Sequence, residues 1–570
     1  MSPIQRTCAI SGIDFVVSDD DQALMDRISP VIAGKKFALP IPSLSPDERQ
    51  RRRLSFRNER NLYRTTCGIT AKPVVSVYSP DKRLKVCSKE SWLEQDNTEF
   101  GREFDFKRPF FDQFSELSSA CWKAAVIQAG EMINSDYAHF CGWLKNCYLV
   151  FDAGKSEDCS YSIFTAYSRN CMEASYLASC ELCYWGVKNE NCYNTHFAAY
   201  CKNCSFSAYL HSCIGCKNCL FCTNLRNKEY YVYNQKVTPA QFTELWSQRV
   251  NGSHRQQEQN VTEFETLIEN APRKATNNLN CERCYGDELA RSENLYRCFN
   301  CLESKDCRYC FDLFLKSNDC MDVGTFGEGM QYCYEVGGSG GALGKTEVSN
   351  LYFSDYIFYG GFNIFYSSHC HENCQNLFGC SDLRKKQYCI LNKQYSREDY
   401  EALVPRIIEH MQRTGEWGEF FPMSMSPFGY NESLASEFYP EARERALAIG
   451  AHWSEYVIPT PAVRNTISAA DLPDKISETP DDILDRAILC AHTARPFKLT
   501  TQELAFYREQ QIAIPRLHPS ERQRRRHRWL SERKLYERPC STCGTQVTTS
   551  FAPERRERIV CDECFQKAVD

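Results

Sequence analysis

Four cysteines near the end of the chain have the spacing of a metal centre. Cys540-x2-Cys543 and Cys561-x2-Cys564 are two short thiol pairs held apart by seventeen residues. Thiolates in this pattern close a tetrahedron around Zn²⁺, so the spacing predicts a zinc ribbon and zinc as the cofactor. Just upstream, Arg522, Arg524, Arg525, Arg526 and Arg528 lie in a segment with helical character. From Arg516 to Cys564 there are twelve Lys or Arg and seven Asp or Glu, in a chain whose net charge is -5. Guanidinium groups pair bidentately with phosphate, so the cluster is a candidate contact for RNA, DNA or a nucleoprotein. The competing reading is a solvated helix face on which Glu and Arg pair along the surface.

The elements that would position these residues occur twice. Residues 45–67, SPDERQRRRLSFRNERNLYRTTC, match residues 518–540, HPSERQRRRHRWLSERKLYERPC, without a gap, and Cys8 and Phe15 match Cys490 and Phe497 further upstream. A module of about 80 residues therefore stands at both ends. The first copy keeps Cys67, but Thr70, Ser88 and Ser91 occupy the other three ligand positions, and Cys87 is one place out of register. That copy is expected to fold without metal. A second set in each module, Cys8 with Ser11, Ser45 and Glu48, or Cys490 with Thr493, His518 and Glu521, falls short of four good ligands.

Between the modules the cysteines are periodic. Thirteen of them from Cys141 to Cys222 fall at positions divisible by three, often after Asn or Asp, as in Asn146-Cys147, Asp158-Cys159 and Asn203-Cys204. Steps of 21 to 24 with half-steps of 9 to 12 predict coils of a parallel β-helix lined by small thiols. After the first repeat region, Thr238-Pro239-Ala240-Gln241 reads as a helix start with a capping box, and Ser396 opens a similar helix after the second. Each helix would cover an open strand edge. Residues 251–260 read as a polar linker between the repeats. Cys281, Cys284, Cys298 and Cys301 have ribbon-like spacing but lie within the ladder pattern, and the glycines at 337–341 lack the signature of a phosphate loop.

The expected fold is mainly β with α: two cysteine-rich solenoid lobes capped by helices, flanked by two zinc-ribbon-like α+β modules. The boundaries are 1–95 for the first module, 120–250 and 275–412 for the lobes, 413–489 for an aromatic-rich connection and 490–570 for the zinc-ribbon module. With 570 residues, 42% of them hydrophobic, the chain can bury several cores. A mean hydropathy of -0.51 and the lack of a long apolar run predict a soluble cytoplasmic protein with no membrane partner. Its 34 cysteines are then expected to be thiols or metal ligands rather than disulfides.

The order of RQRRRLSFRNERNLY, FDFKRPFFDQF, LRKKQYCILNKQYSREDYEALV, GEWGEFFPMSMSPFGYNES and the closing CxxC pairs resembles an uncharacterised family of cysteine-rich bacterial proteins, over nearly the whole chain. In that family the first module carries CPDC where this chain has Ser45-Pro46-Asp47-Glu48, and some members bear a CoA-transferase label of the CaiB/BaiF type that no residue here supports. The resemblance implies architecture and no activity. The expectation is a zinc-binding scaffold or binding protein, with a partner of nucleic acid or protein, and more a binder than an enzyme. The alternatives are a β-helix enzyme acting on carbohydrate through Asp312, Asp319 and Asp322, and a thiol or metal reservoir.

Overall fold

In the computed structural model, which describes residues 2–175, 181–186, 188–324, 327–340, 348–459 and 465–569, the chain is a mixed α/β protein with two compact units. The first is built from Met1–Val126, Thr276–Tyr456 and Arg533–Leu535, the second from Ile127–Ala275, Val457–Glu532 and Tyr536–Asp570. The linear order of the modules is therefore not the order of packing. The N-terminal module packs with the second repeat region, and the C-terminal module packs with the first.

In the second unit the repeat is a parallel ladder in which each residue pairs with one twelve positions on: Tyr148 with Ser160, Phe151 with Ile163, Cys171 with Cys183, Ala208 with Leu220. Every third residue adopts a positive φ, from Asn146, Leu149 and Asp152 to Asp158, Tyr161 and Asn170. The residue that follows each of these is buried, as in the run Cys147, Val150, Ala153, Ser156, Cys159, Ser162, Thr165, Ser168 and Cys171. Asn and Asp tolerate the left-handed region best among residues with a Cβ, which explains the Asn-Cys and Asp-Cys pairs. The inner positions take small side chains, and the thiols there donate to backbone carbonyls: Cys159 to Glu157 at 3.3 Å and Cys204 to Cys213 at 3.4 Å. Burial pushes the thiols of Cys201, Cys298 and Cys310 well above their ordinary value.

The pairing step of twelve equals the upper end of the expected half-step of 9 to 12, and it, rather than 21 to 24, is the repeat. Cysteine occupies only some inner positions, with Ser, Thr, Ala, Val and Leu in the others, so counting from Cys to Cys overstates the repeat. Outside the ladder, Phe197, Tyr209, Phe221 and Tyr233 stack at twelve-residue steps, with ring centroids 4.9, 4.7 and 5.1 Å apart. Against this stack lies the helix His254–Asn270, which buries Val261, Phe264 and Ile268. The expected polar linker is thus the first half of a helix, since its apolar face begins only at Val261.

The first unit holds a ten-stranded sheet from Tyr285–Asp287 to Lys393–Gln394, parallel except for its closing hairpin. Its register steps are twelve for Glu293 to Lys305, thirteen for Asn318 to Gln331 and eighteen for Met330 to Val348. Part of the glycine-rich stretch is the short strand Ser339–Gly340; Gly341 lies outside the described residues. Both closing helices start as expected. Thr238 and Gln241 form a full capping box on Pro239–Arg249, and the Ser396 hydroxyl accepts from the Asp399 amide at 3.0 Å on Arg397–Thr414. The latter buries Tyr400, Val404, Ile407, Ile408 and Met411 together with Trp417, Phe420 and Phe421, so that part of the aromatic connection is core.

Candidate metal centre and the arginine helices

One local frame recurs four times. At Cys8, Cys67, Cys490 and Cys540 the cysteine amide donates to the carbonyl five residues on, at 2.9, 2.8, 3.0 and 2.8 Å. The amide four residues on donates back to the cysteine carbonyl, at 2.9 Å in every case. That returning residue is Gly12, Ala71, Ala494 or Gly544, each with positive φ. The amide after each cysteine then ties the turn to a second segment: Ala9 to Ser43, Gly68 to Val86, Ala491 to Arg516 and Ser541 to Ile559. Two residues beyond each tie stands Ser45, Ser88, His518 or Cys561, and a helix follows: Pro46–Leu54, Lys89–Glu94, Pro519–His527 or Asp562–Val569. The ligand positions inferred from sequence are thus brought together around Cys540 and Cys67, and the first three of them around Cys8, with Ser11 and Ser45, and around Cys490, with Thr493 and His518.

Only the last frame has four thiols. One sulfur from each of Cys540, Cys543, Cys561 and Cys564 lies within 4.8 Å of every other, and among the described residues this is the sole group of three or more metal-ligating side chains. Cys543 Sγ and Cys561 Sγ are 3.7 Å apart. A tetrahedron with metal–sulfur bonds of about 2.3 Å has edges of about 3.8 Å, so the cluster fits an ion of that size. Burial opposes ionisation of Cys540, but the amides of Cys543, Cys561 and Thr542 point at its sulfur and draw it down to about 6. Cys564, facing the neighbouring Cys561 thiol, is pushed up to about 12. Cys543 is drawn down as well, by the Thr545 hydroxyl and amide, so the thiolate is favoured at two of the four positions. Four sulfurs with this geometry could close around one ion.

In the other frames, the residue at the third ligand position caps the helix that follows it. The Ser45 hydroxyl accepts from the Glu48 amide at 3.5 Å, Ser88 from Ser91 at 3.2 Å, and His518 Nδ1 from Ser520 at 3.2 Å. Burial opposes ionisation of Cys67 too, yet the Thr70 hydroxyl and the amides of Thr70 and Ser88 bring it to about 6. Cys87 is fully buried and is pushed up to about 12 by desolvation, consistent with a packing role.

The arginines of the helix Pro519–His527 and its C-cap divide by face, which removes Arg522 and Arg526 from the expected phosphate-binding set and leaves Arg524 and Arg528 exposed. Arg522 and Arg526, one turn apart, are 2% and 1% exposed and both hold Glu173, itself fully buried in the repeat region. Arg525 grips both carboxylate oxygens of Glu258 at 3.0 and 2.9 Å. Arg524 pairs with Glu521, and Arg528 stands 3.8 Å from Glu265; both side chains remain about two-thirds exposed. A guanidinium sealed against a buried carboxylate cannot reach a phosphate, so Arg522 and Arg526 are docking residues. The first unit repeats the arrangement. Arg49 Nε donates to Asp322 at 2.8 Å, Arg53 to Asp322 at 3.3 Å, and Arg52 to both oxygens of Glu335 at 3.0 Å. The sequence signal for this was the i,i+4 pair Arg522/Arg526 matching Arg49/Arg53, which places one conserved pair of charges on one face.

The acidic trio nominated for catalysis is not assembled as a pair of free acids. Asp322 is held by Arg49 and Arg53, Asp312 by Arg533, and Asp319 by Arg27 at 2.6 Å. Cys298 and Cys301 are buried within the ladder and form no metal group with Cys281 and Cys284. The described cysteines are thiols, and no described helix is long and apolar enough to cross a membrane. A comparison with family models, curated proteins and solved structures finds no match.

Proposed function

We propose that this chain is a zinc-binding, cysteine-rich scaffold that acts through binding surfaces, with the ladders forming coils of a parallel β-helix and the terminal modules seated on those coils by arginine helices. The observation that carries the reading is the fourfold frame. Its turn, tie and helix persist with a single cysteine in three places, so the frame is an architectural part, and metal in the fourth would secure the same part. The resemblance to the cysteine-rich bacterial family belongs to the proposal, since Ser45 and Glu48 occupy the third and fourth ligand positions where that family has CPDC. Nucleic acid is the weaker partner choice, because Arg522, Arg525 and Arg526 are already engaged with carboxylates. Catalysis through Asp312, Asp319 and Asp322 is disfavoured by their ion pairs, and a thiol reservoir by the burial of the ladder cysteines.

Elemental analysis of the full chain tests the metal assignment. The expected content is about one zinc per chain, lost in Cys561→Ser and unchanged in Cys67→Ser and Cys490→Ser. Absence of metal, a different metal, or full zinc in Cys561→Ser overturns it.

A further inference from the structure

The duplication provides an internal control for what covers an arginine helix. In the first unit the outer face of Pro46–Leu54 and the neighbouring Cys8 turn are overlaid by residues 435–453 of the same chain. Arg51 is reached by Glu441 at 3.2 Å and lies over the Tyr439 ring at 5.5 Å. Arg445 donates to the Ile10 carbonyl at 3.4 Å, and Ile10, Leu54, Ala446, Ile449, Ala451 and Trp453 share one apolar cluster. The result is burial: the Arg51 side chain is 13% exposed and Ser55 2%.

In the second unit the corresponding positions are Arg524 for Arg51, Arg528 for Ser55 and His492 for Ile10. Here the Arg524 and Arg528 side chains are 64% and 67% exposed, and His492 is exposed. They line an open hollow of about 900 Å³ with Arg516, His254 and Ala470, in which Glu521 beside Arg524 and Glu258 beside Arg525 are the carboxylates. Among the described residues, its far end is met by Arg555, which donates to the carbonyls of Arg528 and Leu530 at 2.9 and 3.1 Å. The exchange of Ser43, Ser55 and Ile10 for Arg516, Arg528 and His492 also makes this copy more basic than the covered one.

We propose that this hollow is a docking site for an acidic peptide segment of a partner protein, which lies on Arg524 and Arg528 as residues 435–453 lie on Arg51. The partner is recognised by a carboxylate placed on Arg524, as Glu441 is placed on Arg51, with further acidic residues for Arg528 and Arg516 and a small apolar contact beside the Cys490 turn. This extends the binding-scaffold reading but does not depend on the metal, so the two are tested by different readouts.

The probe is a fluorescein-labelled peptide of residues 435–453 made acidic by Arg443→Glu and Arg445→Glu, because the native segment carries three Glu against two Arg, titrated into the full chain and followed by anisotropy. Saturable binding is expected, weakened roughly tenfold or more by Arg524→Glu and by the peptide change Glu441→Lys, and restored when the two changes are combined. Zinc content and the thermal melt of Arg524→Glu, an exposed position, should match the parent, which separates lost docking from lost fold. The proposal is overturned if the peptide does not bind, if binding is indifferent to Arg524→Glu, or if the swapped pair fails to recover. It is likewise overturned if an RNA or DNA oligonucleotide, or inorganic phosphate, occupies the hollow and the peptide does not displace it.

Discussion

Glu173 is fully buried and holds two buried guanidinium groups, so removing its carboxylate takes a close counter-charge from both. Glu173→Gln should therefore lower stability by about 3–5 kcal/mol, read from the urea midpoint. Replacing all three members with apolar residues of similar volume should recover much of that loss. Beside this cluster, Glu503 is fully buried, and desolvation raises its carboxyl from 4.5 to about 7 despite hydrogen bonds from Tyr161 and Tyr507. A raised folded-state value means that the folded protein holds the proton more tightly than the unfolded chain. Its contribution is thus full below about 4.5 and declines as pH rises through about 7. Glu503→Gln should flatten that decline, measured as the urea midpoint from pH 4.5 to 8. At this scale the sequence displayed the candidate metal ligands openly, because four cysteines at this spacing match a four-thiolate site. It concealed the role of the arginines, because their partner lies 349 residues away from Arg522 and carries no local signature.

At the scale of elements, the Asn-Cys pairs encode phase. Asparagine takes the left-handed position and cysteine the inner one, so the side of the chain that faces inward was legible. The period was not, since it resides in backbone pairing that Ser, Thr and Ala satisfy as well as Cys. Asn203 is an exposed example with φ of 53°. Asn203→Val should cost about 1–2 kcal/mol because a branched Cβ meets the following carbonyl, whereas Asn203→Gly should shift the melting midpoint little. The helix His254–Asn270 escaped the sequence reading for a related reason. Its first turn is polar throughout, and the stripe Val261, Phe264 and Ile268 emerges only after two turns. The cap signals at Thr238 and Ser396 were readable because they are local, four-residue statements.

At the scale of the whole molecule, duplication explains why one helix type appears twice with the same buried carboxylate logic, and why the two copies differ where one is overlaid by the chain itself. The sequence indicated the copying; it did not indicate that each end module joins the repeat region further from it along the chain. Each compact unit is therefore discontinuous. This has a consequence in time. Arg49 leaves the ribosome 273 residues before Asp322, an interval of roughly 15 to 55 s at 5–20 residues per second. Glu173 waits 349 residues for Arg522, roughly 17 to 70 s. During synthesis a row of guanidinium groups and then a carboxylate must each remain in water, soluble and uncommitted, until its counterpart is made. Charge suits that interval, since an apolar docking face would be exposed to aggregation for most of a minute, whereas an ionic one stays hydrated until the last module arrives.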